Sequence, residues 1–373
     1  MWPRIISSHP PGPVPTSFPQ PPVAKKKNRD ALGNDQLDAP AFLAMNFLHA
    51  YETTLDREFL ERKAWPMVRA CAGFYADYLT FNKAKDRYEL HFSASREASG
   101  NEINAACQLA MIKRVVAAAA DYSEILGVDA DKRGKWRDIV ARMSGYPTMV
   151  VDGKTVFKES ENRNRVALMG PGDNVSLLQL VHPGAGIGLE SDPELIATAR
   201  NTIAWFNSDP AKPSWLQKSN NLPQIFTQAA TVGWDAADLY KWFHRYLTEE
   251  ERPNRTYQPW GIEGAGATEA LHRMLLQSHE DVLRFFPVWP KDKNASFTRL
   301  RAKGAFLVSA ELKDGVIAGV RILSEKGRDL TVVNPWPGKK VRVVRNGKAV
   351  QSATGDRFTI KTAIAETLEL KPE

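Results

Sequence analysis

Two glutamates stand where a carboxylate can do acid–base work. Glu97 lies in Ser93-Ala94-Ser95-Arg96-Glu97-Ala98, just ahead of an amphipathic helix expected over 101–126. Glu263 lies in Gly261-Ile262-Glu263-Gly264, just ahead of a helix expected from about 265. Loops at helix starts are where function concentrates, and a carboxyl group there can hold or take a proton. Such a position equally suits a solvated carboxylate that only complements the helix dipole, with Arg96 beside Glu97 as its ion partner. On spacing alone this second reading is the simpler. Trp260 near Glu263, and Trp215, can each offer an apolar face to a ring, although a tryptophan in a helical protein more often fills core. Other chemistries lack their signatures. The sequence has no Gly-x-Ser-x-Gly elbow, no Gly-x-x-x-x-Gly-Lys loop and no His-Glu-x-x-His pair, and no cofactor is implied. Cys71 and Cys107 lack metal spacing and fall on apolar helix faces, as buried structural thiols do.

The elements that must position these residues are helical up to about His279. The segment 101–126 carries Ile103, Ala106, Cys107, Ala110 and Met111 at i, i+3, i+4, i+7 and i+8, with Ser99 and Glu102 at capping-box spacing. Ser191-Asp192-Pro193-Glu194 reads as a cap, an early proline and a reciprocal glutamate ahead of the stripe Leu195, Ile196, Ala199 and Ile203. Further helices are expected at about 40–52, 57–80, 129–143, 174–182, 222–232, 235–247 and 265–278. Their short links favour antiparallel helical hairpins. After about residue 295 the period falls to two. Strands are expected over 305–312, 316–323, 330–333, 341–344 and 357–360, with Lys313-Asp314-Gly315 and Asn346-Gly347 as hairpin turns. Residues 1–35, rich in proline, read as a disordered tail.

Composition narrows the class. The 373 residues are 43% hydrophobic and 25% charged, as in an ordinary globular protein. A net charge of +7 invites a nucleic-acid reading. Its lysines and arginines are interleaved with acids, however, and the compact run Lys25-Lys26-Lys27 lies in the tail, so no nucleic-acid partner is expected. No apolar run reaches the ~20 residues of a membrane span. No secretory signal follows Met1, so the default location is cytoplasmic.

One stretch identifies a family. Gly261-Ile262-Glu263-Gly264-Ala265-Gly266-Ala267, then Met274-Leu275-Leu276-Gln277-Ser278-His279, Phe286-Pro287-Val288-Trp289-Pro290 and Leu300-Arg301-Ala302-Lys303-Gly304 follow one another in the order and spacing of glycoside hydrolase family 95, the α-L-fucosidase family. His182-Pro183-Gly184 through Ala199-Arg200 is similar to that family's tyrosine-proline-glycine turn and the helix after it. Asp56 to Leu79 is similar to its aspartate-x-glutamate-phenylalanine-leucine helix. The resemblance covers roughly residues 36 to 350.

It implies a mainly α fold, an (α/α)6 toroid of six helical hairpins with a C-terminal antiparallel β domain. The toroid is apparently incomplete, since about nine helices are visible where twelve are needed and no N-terminal sandwich precedes them. The division is a tail at 1–35, a toroid-like catalytic domain at 36–290 and a β domain at 291–373. The resemblance also implies hydrolysis of O-glycosidic bonds in an oligosaccharide or glycoconjugate with inversion. Glu97 stands at the place of the general acid, and Glu263 at the place of the aspartate that activates water. The paired asparagines that assist that aspartate belong upstream and cannot be placed. At Gly172-Asp173-Asn174 the family's histidine-arginine-histidine motif is missing. Asp173 and Asn174 can still bind sugar hydroxyls, as can the faces of Trp215 and Trp260, but fucose specificity does not carry over. His182 replaces a tyrosine. The rival reading is a truncated pseudo-enzyme that binds carbohydrate without cleaving it.

Overall fold

The computed structural model describes residues 36–95, 100–216, 224–248, 266–345 and 347–373. Its first part is mainly helical and its last part is sheet. The helices are α1 (Ala39–Thr54), α2 (Arg57–Phe59), α3 (Trp65–Tyr78), α4 (Ala106–Leu126), α5 (Arg133–Arg142), α6 (Pro193–Phe206), α7 (Gln224–Thr231), α8 (Ala236–Thr248) and α9 (Gly266–Leu275). A π-turn over Leu60–Ala64 joins α2 to α3 into one helical run, so the expected 57–80 segment is a single rod with one widened turn. Asp56 caps it by accepting from Phe59 N.

Most expected helices are present, and the differences have local causes. α4 starts at Ala106 rather than 101. Of the expected capping box, Ser99 lies outside the described residues, and Glu102 precedes the helix in an antiparallel bridge with Ser93. α6 is capped by Asp192, which accepts from Glu194 N at 2.8 Å, with Pro193 following at the first position. The expected 174–182 helix is a 3-10 helix over Val175–Leu180. Two hairpins were not legible from the pattern, β1 (Thr80–Asn82) with β2 (Arg87–Glu89) and β3 (Thr148–Val151) with β4 (Lys154–Phe157). Both are loop excursions too short to show a period.

Two clusters fill the helical part. One gathers α1, α3, α4 and α5 around Leu48, Tyr75, Met111, Ile112 and Trp136. The other gathers α6 to α9 and the 3-10 helix around Phe157, Leu178, Phe206 and Phe226. α4 serves both, because 14 of its side chains are buried. The Pro183-Gly184 turn presses on it so closely that a Cβ on Gly184 would lie 2.7 Å from Gln179 O and 2.9 Å from Ala110 Cβ. Cys71 and Cys107 are free and buried in this core, as expected, and burial pushes both thiols up.

Strands take over directly from α9, ahead of residue 290. β5 (Leu276–Gln277), β6 (Val282–Phe285), β10 (Leu330–Val333) and β13 (Arg357–Ile360) make a four-stranded sheet ordered 13-10-6-5. β7 (Ala295–Ala302), β8 (Phe306–Lys313), β9 (Val316–Ser324), β11 (Val341–Arg345), β12 (Lys348–Ala353) and β14 (Glu366–Pro372) make a six-stranded sheet ordered 12-11-14-9-8-7. The expectation of a wholly antiparallel domain is corrected in one place, since β6 runs parallel to β10. The Asp314-Gly315 turn is as expected, both residues having positive φ (49° and 78°), the geometry of a type I′ hairpin. β12 and β14 were not expected, although the buried Leu368 and Leu370 of β14 alternate with Thr367, Glu369 and Lys371.

An ion cluster ties the β1–β2 hairpin to the loop after β4. Arg87 bridges Glu89 and Glu161, each at 2.7 Å, and Asn104 Nδ2 donates to Glu161 at 2.6 Å. Burial disfavours the Glu161 carboxylate, but hydrogen bonds from Arg87, Asn104 and Lys85 outweigh it and hold its pKa at about 2.

Phe226→Ala is expected to cost ~3–5 kcal/mol in urea unfolding, because the fully buried ring meets Trp215, Phe243 and Tyr246. A loss under about 1 kcal/mol would contradict its place at the centre of this cluster. Glu161→Gln should also destabilise near neutral pH. The folded pKa of Glu161 lies below the ordinary 4.5, so its contribution is present above that value and disappears as pH falls toward about 2. The gap between wild-type and variant urea midpoints should therefore close on acidification. A gap that does not change with pH would remove the ion cluster from the stability of this rim.

Candidate active site

The starts of α1 and α4 and the loop after β2 meet at one end of the helices. Asp38, the N-cap of α1, is buried and accepts from Gln108 Nε2 at 2.8 Å. Burial raises its carboxyl pKa, with the Gln108 hydrogen bond working against the rise. The same Gln108 amide donates to Ala94 O at 2.8 Å, and its oxygen accepts from Ser93 Oγ at 2.5 Å. Ser93 in turn pairs with Glu102, whose N–H donates to Ser93 O at 2.9 Å. The Glu102 carboxylate is completely buried and accepts from Ser95 N at 2.8 Å. Two residues on comes Glu97, which lies outside the described residues, as do Glu263 and Trp260.

The chain returns to an equally fixed place. Gly100 O accepts from Arg163 Nη2 at 2.7 Å, and Asn101 O accepts from Asn162 Nδ2 at 2.8 Å. Asn162 Oδ1 accepts from Ile103 N at 2.9 Å. The Glu97 segment therefore leaves and re-joins the fold at anchored points.

The facing wall comes from 159–177. Glu159 is buried, and its Oε2 accepts from Arg165 Nε at 2.5 Å while its carbonyl accepts from the first N–H of α4 at 3.0 Å. Ser95, Cys107, Glu159, Asn174 and Ser176 line one narrow crevice. Asn174, a residue expected to touch sugar, is thus brought beside the start of the Glu97 segment from far away in sequence.

Asn174 caps the 3-10 helix through Ser176 N at 2.8 Å. Asp173 is 6% exposed and accepts from Met169 N at 2.9 Å and from Asn174 N at 2.7 Å. Both carboxylate oxygens thereby shape the loop that presents Asn174. Trp215, expected to stack on sugar, is 2% exposed and packs at 5.2 Å on Phe226 and 5.9 Å on Trp234. As placed here, that ring belongs to the core beneath the rim. His182 sits away from this crevice, before a cis bond to Pro183.

Sequence reasoning missed Glu102 and Glu159. Glu102 was assigned to a capping box, and no periodic signal marks Glu159. The available hint was chemical: carboxylates beside apolar neighbours (Ile103 for Glu102; Val156 and Phe157 for Glu159) are buried only when paired. Among the described residues, no group of three or more His, Cys, Asp and Glu side chains is placed to hold a metal ion, and no helix is long and apolar enough to cross a membrane.

Comparison with known proteins places this geometry. Residues 24–252 match the glycosyl hydrolase family 95 catalytic domain. The chain is 26% identical over 321 residues to Alpha-L-fucosidase 2 of Arabidopsis thaliana, covering 77% of this chain and 36% of that protein. It thus spans about a third of the length of its curated relative. Among solved structures, a putative kojibiose phosphorylase from the human microbiome superposes with a TM-score of 0.50 at 14% identity, over 88% of this chain and 50% of the other. Streptomyces avermitilis alpha-L-rhamnosidase complexed with L-rhamnose gives a TM-score of 0.43 at 13% identity, over 86% of this chain and 32% of the other. With most of its helical part inside the matched residues, the chain belongs to glycosyl hydrolase family 95.

Proposed function

We propose that this chain hydrolyses an O-glycosidic bond, with Glu97 as general acid and Glu263 as the base that activates water. One observation carries this reading most: the described residues on either side of Glu97 are hydrogen-bonded in place, and Ser95 lines one crevice with Asn174. Glu97 also falls inside the family match, and Glu263 just beyond it.

Glu97 then donates its proton to the leaving oxygen as the glycosidic bond breaks. Glu263 takes a proton from the water attacking the opposite face, so the anomeric configuration inverts, a mechanism that requires two carboxyls ~6.5–9.5 Å apart. Glutamate in place of the family's aspartate lengthens the base by one methylene. The substrate class is an oligosaccharide or glycoconjugate. The curated relative is named for α-L-fucose, but Gly172-Asp173-Asn174 lacks the family's fucose-binding motif, so a different or broader sugar preference goes with this reading. Asp173 supports the binding loop, Asn174 and Trp260 meet the sugar, and Trp215 supports the rim from below. The helical part is read as an incomplete (α/α)6 toroid over 36–290, between a tail at 1–35 and a β domain at 291–373.

A specific observation favours the rival, a carbohydrate-binding protein without turnover: Gly172-Asp173-Asn174 lacks the family's sugar-binding motif. A panel of aryl glycosides separates the two. Hydrolysis by the wild type should fall by ~10²-fold or more in Glu97→Gln and in Glu263→Gln, with the product of inverted configuration by NMR. Saturable sugar binding by a folded sample that cleaves none of the panel would overturn the hydrolase reading in favour of its rival.

A further inference from the structure

A second cavity lies toward the other end of the same helices. It has a volume of about 310 Å³ and is enclosed by the C-terminal half of α1, the middle of α4, the turn after the 3-10 helix, α9 and the residues leading into and out of the sheets. Arg114 is eight residues into α4, ~12 Å along its axis from the end that carries the crevice. Among the described residues, none of the sugar-binding candidates Asp173, Asn174 and Trp215 lines this cavity.

Among the described residues, its walls carry Arg114, Arg273, Arg301 and Lys303 against two carboxylates, Glu52 and Glu269, four positive charges against two negative. Arg114 reaches Glu52 at 2.9 Å and Pro183 O at 2.7 Å, and Arg273 reaches Glu269 at 2.7 Å. The partners of the other two cations, Glu325 and Asp281, stand outside the lining, Asp281 with a side chain 75% exposed. A surplus of positive charge thus faces a partly enclosed space, where an anion is attracted far more strongly than at an open surface.

The second observation is His279. Its side chain is only 10% exposed, and both ring nitrogens are buried with no hydrogen-bond partner. A buried polar group left unmatched in a cavity wall marks a place where a partner is missing. The groups that face it are Arg114 from α4, His182 from the turn, Arg273 from α9, Lys303 from the end of β7 and its neighbour Glu280, whose Oε2 is 3.8 Å away. Burial, then Arg273 and Arg114, push the His279 pKa well below its ordinary value.

We propose that this cavity binds an oxyanion (a carboxylate, sulfate or phosphate group, free or borne by a sugar) between Arg114, Arg273 and His279. The anion accepts from the two guanidinium groups and from an imidazole N–H, giving His279 the partner it lacks. Because a bound anion favours the imidazolium, binding takes up protons and strengthens as pH falls. Glu280 acts in the same direction. Burial raises its pKa to about 7, so its competing negative charge disappears on acidification.

Calorimetric titration of the full chain with sodium sulfate, inorganic phosphate and glucuronate, at constant ionic strength, tests the site, with glucose as the uncharged control. At least one anion should bind saturably, several-fold more tightly at pH about 6 than at pH about 8. Glucose should not bind there. Tighter binding of glucuronate than of phosphate and sulfate would assign the site to an acidic sugar, and the reverse order to a free ion. Arg273→Gln and His279→Gln should each weaken binding by about tenfold or more, the loss of one charge-assisted contact. Lys291→Gln, on an exposed turn, should leave it unchanged. Circular dichroism identifies any variant that fails to fold, and in that case the imidazole NMR signal of His279 in the wild type must shift on anion addition. No saturable binding of any of the three anions, or equal affinity in folded Arg273→Gln and His279→Gln, would overturn the proposal. The readout is binding alone, so its outcome does not depend on hydrolysis.

Discussion

The arrangement at the rim depends on burying polar groups in a helical protein without leaving them unpaired. Gln108 is the pivot. Its one side chain holds the cap of α1 through Asp38 and the loop after β2 through Ser93 and Ala94. Each of these groups is buried, so each would carry a full desolvation cost if its partner were removed. The apolar stripes of α1, α3 and α4 bring the helices together. The amide at Gln108 fixes their relative register at the end that carries Ser93, Ala94 and Ser95. A leucine there would pack, but it would remove the hydrogen bonds that Gln108 makes to Asp38, Ser93 and Ala94.

The opposite end is fixed by the sheets. Gly304 N donates to Glu52 O at 2.8 Å, and Arg301 Nη1 donates to Thr53 O at 3.0 Å, so the β7–β8 turn satisfies carbonyls in the last turn of α1. Gln277 Nε2 donates to Ala230 O at 2.8 Å and ties β5 to the end of α7. The C-termini of α1 and α7 therefore find donors in the β-rich part, while the first N–H of α4 finds its acceptor in Glu159 O after β4. That asymmetry leaves two chemically different surfaces on one set of helices. One is rich in carboxylates and amides, the other in arginine and histidine.

What the sequence made legible follows the strength of its periodic signals. Asp192-Pro193, Asp314-Gly315 and the apolar stripes of α4 and α6 each had a mechanism that local chemistry alone enforces. Glu102 shows where that logic fails. Its spacing from Ser99 matched a capping box, yet its backbone pairs with Ser93, its carboxylate accepts from the N–H of Ser95, and the helix starts at Ala106. Long-range pairing decided the matter, and a single sequence carries no trace of it. The parallel pairing of β6 with β10 is hidden for the same reason. Trp215 and Asn174 illustrate the limit for sites. Both are polar-capable residues next to loops, and only tertiary packing puts one under the rim and the other in its wall.

The two surfaces also differ in how they tolerate charge. At the rim, Glu89 is buried, and although burial works against its ionisation, hydrogen bonds from Arg87, Asn82 and His91 keep its pKa below the ordinary value. Its charge is matched, and the surrounding loops are held as acceptors of fixed N–H groups. At the other end burial takes the His182 imidazole down to about 3, with Arg273 and Arg114 adding to the effect. There the histidines yield their charge to the arginines instead of pairing with an acid. Paired carboxylates make the first surface rigid near neutral pH. The unpaired imidazole of His279 leaves the second surface a hydrogen-bonding capacity that the described residues do not use.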